Sequence, residues 1–105
     1  MAEYGFVWNE RLLLLVPSLE KEWEEHTPAE QARLIERWEL SRGRIPDLIL
    51  NLEKIINAKQ AELFHEECFE RCCALNKEIA EYASRINDLQ IWFRMNQDLE
   101  ARRHS

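Results

Sequence analysis

From Pro46 to Ser105 the chain runs for sixty residues with no glycine and no further proline. These two residues break helices more strongly than any others, so their absence over that length favours helix. A helix rises about 1.5 Å per residue, and fifty residues would reach roughly 75 Å. The shorter N-terminal portion, already folded back on itself, cannot cover such a rod. Either the stretch bends into a hairpin, or a second copy of the chain covers what is left bare.

Composition agrees with a helical protein. Hydrophobic residues make up 46% and charged residues 32% of 105 residues, and there are two glycines and three prolines. That balance belongs to helical bundles and coiled coils, and the length supports a single domain spanning 1–105. The net charge is -6. The acid excess is spread evenly, with nine acids and six bases in 1–44 and eleven and eight in 45–105. No basic stripe is evident to neutralise phosphates, which argues against a nucleic-acid partner. The longest apolar run, Leu12 to Val16, is far short of the ~20 residues of a bilayer span, and the N-terminus lacks signal-peptide features. Three clustered cysteines (Cys68, Cys72, Cys73) form no disulfide framework, so a reducing, cytoplasmic setting is expected.

Residues 1–8, with Tyr4, Phe6 and Trp8, read as an N-terminal arm. Residues 9–42 read as a helical hairpin. Asn9 caps a first helix carrying Leu12, Val16, Leu19 and Trp23 on one face, kinked or broken at Pro17. Thr27, Pro28 and Glu30 form a capping box with proline at the first helical position, and Leu34, Ile35 and Trp38 face inward. The second helix stops at Arg42, with Gly43 at a left-handed position and Pro46 beyond, and the short connection predicts antiparallel packing onto the third segment.

That third segment, 46–100, opens with a wide apolar face and continues as a heptad seam: Cys68, Cys72, Leu75, Ile79, Tyr82, Ile86, Leu89, Phe93. The two halves differ in phase, and a skip, bend or hairpin is expected near 57–66. The seam is flanked by Phe69, Asn76, Ala83 and Gln90 on one side and by Arg71, Glu78, Arg85 and Trp92 on the other. Those flanks are too apolar and too poorly charge-matched for a parallel two-stranded zipper, and suit a bundle. Residues 101–105 read as a frayed tail. The predicted architecture is therefore all-α: two shorter antiparallel helices and a long C-terminal helix, with coiled-coil-like packing.

On a continuous helix His65, Cys68 and Cys72 share one face, and Glu62 with His65 has the E-x-x-H spacing of di-iron bundles. Seam positions bury cysteine in most proteins, so the thiols read first as core and the metal or thiol site as the alternative. His26 and His104 read as solvated, no serine joins a triad, and Gly5 and Gly43 stand alone, so no catalytic residue and no cofactor are expected. A helix-turn-helix outline fails because the would-be reading helix opens with apolar and acidic residues. The function predicted is non-enzymatic: a self-associating interaction module. Leu75, Ile79, Tyr82, Ile86, Leu89 and Phe93 would pack a homodimer. Ile91 and Trp92 on the seam's shoulder would meet an unidentified protein partner.

Overall fold

In a computed structural model of the protein, the backbone is described for residues 5–19 and 21–104, and the side chains of 96–104 are not described. Tyr4 of the expected arm and Ser105 of the expected tail lie outside the described residues. The protein is 73% helical, with strand β1 (Phe6–Asn9), strand β2 (Leu14–Pro17), a 3-10 turn at Trp23–Glu25, and helices α1 (Pro28–Arg42), α2 (Ile45–His65) and α3 (Phe69–His104). Helix continues through His104, so the backbone of the expected tail is not frayed.

The helix expected from Asn9 to Trp23 is a β-hairpin instead. β1 and β2 pair antiparallel, with Phe6 opposite Pro17 and Asn9 opposite Leu14. The run Leu12 to Val16 satisfies both a helical spacing and a period of two, and short apolar runs do not discriminate. The aromatic and β-branched residues Phe6, Val7, Trp8 and Val16 tip the balance to strand, and Pro17 takes a strand end, where its missing donor costs little. Asn9 does cap, but inside the hairpin loop, where its Oδ1 accepts from the Leu12 amide at 3.0 Å. Leu13 turns the loop with φ 55. Gly5, at φ 75, lies where a Cβ would sit 2.9 Å from Leu34 Cδ2, so its lack of a side chain lets the hairpin approach α1 closely.

The capping box forms as predicted. Thr27 Oγ1 accepts from the Glu30 amide at 3.1 Å, and the Thr27 amide donates to Glu30 Oε1 at 2.8 Å. The other end of α1 differs. Gly43 is right-handed at φ -62 and Arg44 follows at φ -83, so α1 and α2 form one long bent helix and not an antiparallel pair. The chain reverses later, at Glu66–Cys68, and α3 returns antiparallel along α2. Lys59 pairs with Glu78, Glu62 with Arg71, and Ile45 and Ile49 lie across from Gln90 and Phe93. The polar patch Asn57–Gln60, near which a break was expected, stays helical.

The largest core joins Phe6, Leu12, Leu14 and Val16 of the β-hairpin to Leu34, Ile35 and Trp38 of α1, Ile45 of α2 and Leu89 of α3. His26, expected at the surface, is buried there with Trp23, its Nδ1 donating to the Glu22 carbonyl at 3.0 Å. Arg11 fastens the hairpin loop to α3: it donates to Ser84 Oγ at 2.7 Å, pairs with Glu81 at 3.3 Å and also binds Asp88.

Two substitutions test the start of α1. Thr27→Ala is expected to cost about 1 kcal/mol, because one orphan amide loses its acceptor. The hydrogen bond from the Thr27 amide holds the Glu30 carboxyl below the usual range. Its stabilising effect is therefore complete above the unfolded-state pKa and is lost as pH falls through the folded one. Thermal melts across the acid range should show Glu30→Gln flattening that dependence.

Candidate functional site

The seam predicted for self-association is covered first from within. Leu75 and Leu89 are wholly buried in a single chain, while Ile79, Tyr82, Ile86 and Phe93 are half-buried. α2 supplies most of that cover, so the bare rod that motivated a homodimer is not left over. Cations edge the seam. Lys59 donates to Glu78 at 2.8 Å and lies 5.8 Å from the Tyr82 ring, whose other neighbour is the Arg85 guanidinium at 5.1 Å. The hydrogen bond with Glu78 raises the Lys59 pKa and lowers that of the carboxylate. Arg42 stacks 3.7 Å from the Phe93 ring centroid and donates to the Phe93 carbonyl at 2.8 Å, tying α1 to α3.

Trp92 is not a free shoulder. It packs on the core with its ring 5.7 Å from that of Trp38. Of the predicted partner surface, Ile91 is 45% exposed and Trp92 stays partly exposed while packing on the core. Trp38 Nε1 is buried with no hydrogen-bond partner among the described residues.

The alternative site on His65, Cys68 and Cys72 required one continuous helix. The reversal removes that premise: α2 ends at His65, and Cys68 lies outside α3 with its amide donating to Glu66 Oε1 at 3.1 Å. Cys72 is half-buried with its thiol 3.5 Å from the Glu66 carbonyl, while Cys68 and Cys73 are exposed, so Cys68 is not a core residue. Among the described residues no three His, Cys, Asp or Glu side chains converge as metal donors.

The reversal exposes something else. Phe64, the last-but-one residue of α2, is 85% exposed and Phe69, the first of α3, is 78% exposed. Counted along a continuous helix, Phe64 belonged to the apolar face and Phe69 to a flank; the break puts both at the tip of the α2–α3 hairpin. Glu66, Glu67 and Glu70 are close to them in sequence, and no Lys or Arg occurs between Lys59 and Arg71. Arg71 itself is paired with Glu62 at 2.8 Å.

Two apolar recesses lie away from the tip. One, of 470 Å³, is lined by Ile45, Pro46, Ile49, Gln90, Phe93 and Arg94. The other, of 270 Å³, sits between the β-hairpin and the end of α1 and is lined by Phe6, Leu15, Arg37, Leu40, Ser41 and Arg44. Leu40 is 75% exposed there, and Ser41 Oγ donates to the Leu15 carbonyl at 2.6 Å. Arg33, Arg37, Leu40 and Arg44 recur at 4-3-4 spacing, all exposed. Counting charge by segment concealed this short basic stripe; the helical period of α1 could have revealed it.

No family model matches the chain, and neither does a curated protein nor a solved structure.

Two outcomes follow from this geometry. Trp92→Ala should cost about 2–3 kcal/mol in a denaturant melt, toward the low end for a truncated core Trp because the ring is partly exposed. Alkylation of the native protein should modify Cys68 and Cys73 well before Cys72, and a chelator should leave the melting temperature unchanged.

Proposed function

We propose that the chain is a non-enzymatic helical interaction module that associates with copies of itself and offers a helical surface to a partner protein. The observation that carries this reading is the exposure of the two phenylalanines that flank the turn between α2 and α3, Phe64 at 85% and Phe69 at 78%. Exposed aromatic side chains grouped on a projecting element mark protein contacts, and burying one recovers about 1.5–3 kcal/mol of apolar transfer energy. Several polar groups that chemistry could draw on are engaged in holding the fold. Ser41 and Ser84 are bonded to Leu15 and Arg11, and His26 is buried against the Glu22 carbonyl. No helix among the described residues is long and apolar enough to cross a membrane, so the exposed apolar surface is read as a protein contact.

Sedimentation equilibrium at micromolar to millimolar concentration tests the self-association. The mean mass is expected to rise with concentration above the 12.7 kDa of one chain. A single species of that mass throughout would remove self-association from the reading.

A further inference from the structure

We propose that Cys68 and Cys72 form a peroxide-sensitive thiol pair, which closes a disulfide across the start of α3 while Cys73 stays free. The three thiols are unbridged, with Cys68 and Cys73 exposed and Cys72 half-buried. This pairing is independent of the interaction module proposed above.

The backbone brings the two residues together. Cys72 donates its amide to the Cys68 carbonyl at 2.9 Å, which sets them one helical turn apart. Four residues at 1.5 Å each put their Cα atoms about 6 Å apart, inside the ~4.4–6.8 Å that disulfides span. The Cys72 sulfur points back along the chain, 3.5 Å from the Glu66 carbonyl, so it lies on the side of α3 that the turn approaches. Cys68 stands outside the helix, its amide donating to Glu66 Oε1 at 3.1 Å. Closing the bridge moves residue 68 at the expense of that side-chain bond and leaves the body of α3 in place. Cys73 is five residues from Cys68, about 140° around the helix from it, whereas Cys72 is about 40° away.

Exposure divides the roles. Cys68 meets the oxidant, and the shielded Cys72 resolves. With hydrogen peroxide, the Cys68 thiolate attacks one oxygen: an S–O bond forms, the O–O bond breaks, and the hydroxide that leaves takes up the thiol proton as water. The Cys72 thiolate then attacks the Cys68 sulfur: the S–S bond forms, the S–O bond breaks, and the second hydroxide takes up the Cys72 proton as water. Two thiols thus lose two electrons, and peroxide is reduced to two waters. Glutathione is an anion at neutral pH, and Glu66, Glu67 and Glu70, close to Cys68 in sequence, oppose its approach. Peroxide is uncharged and meets no such barrier. The bridge lies in the reversal flanked by Phe64 and Phe69, so oxidation pins the segment that presents both rings.

Mass spectrometry after peroxide treatment tests this. The native wild type is expected to lose about 2 Da as two thiols become a disulfide. It should remain a single chain, keep one alkylatable thiol of the three, and regain its mass with dithiothreitol. Native Cys73→Ser is expected to close the same bridge, and native Cys68→Ser and Cys72→Ser to close none. In urea, where no helix sets the register, Cys72→Ser and Cys73→Ser should both close, which makes the native difference a property of the fold. Circular dichroism checks that each variant is folded, and Cys72→Ala replaces Cys72→Ser should the latter lose helicity. A native chain that only gains oxygen, a bridge between chains, or a native Cys72 variant that closes as readily as Cys73→Ser overturns the pairing.

Discussion

Between His65 and Phe69 three residues turn the chain back on itself, and the seam of α3 finds its cover in α2 because of that turn. The reversal uses neither glycine nor proline. Glu66 adopts an extended conformation at φ -83, ψ 128, which any residue tolerates. Its amide still bonds to the Leu63 carbonyl at 3.2 Å, its carboxylate accepts from the Cys68 amide, and the Cys72 amide starts α3 by bonding to the Cys68 carbonyl at 2.9 Å. The backbone groups freed at the helix ends are thereby partly re-engaged. What drives the turn is the apolar stripe on each side of it. A straight helix leaves both stripes wet, whereas the hairpin buries Leu75 and Leu89 completely.

Two helices cannot enclose both of their apolar faces, and the rest of the architecture follows from that deficit. Of the residues of α2, Ile45 is the one that is fully buried, and Leu50 and Ile55 remain 49% and 38% exposed. At the other end the β-hairpin closes the gap, laying Phe6, Leu12, Leu14 and Val16 against α1, α2 and α3. A two-stranded hairpin alone is marginal in water. Here Arg11, reaching Glu81, Ser84 and Asp88 over two turns of α3, and Ser41, bonded to Leu15, hold it in place. The bent α1–α2 helix carries both ends of this arrangement, which is why its right-handed passage through Gly43 matters.

Local signals were legible in the sequence and long-range ones were not. The capping box at Thr27 depends on four consecutive residues and was read correctly. The change of phase between the two halves of the C-terminal segment left a skip, a bend or a hairpin open near 57–66, and the chain turns between His65 and Phe69. Gly43 misled because its composition context resembles a helix stop. Pro46, one residue into α2, is compatible with a helical start, and the Arg44 amide bonds to the Ser41 carbonyl at 3.0 Å, so the helix bends through without using the left-handed region. The N-terminal run misled because its strand character rests on pairing with a partner segment that helical spacing does not consider. Trp92, read as lying on the seam's shoulder, is partly exposed there; spacing along one helix did not show that α1 also packs on α3 and brings Trp38 to meet it.

The hairpin tip was hidden for the same reason. Phe64 and Phe69 come to the same end of the hairpin only once the turn between them is fixed. Exposed aromatic residues invite indiscriminate association, and the three glutamates beside them act against it. An approach by another apolar surface with acidic surroundings must bury carboxylates against carboxylates. An approach by a cationic rim replaces that repulsion with ion pairs at the edge of a small dry contact.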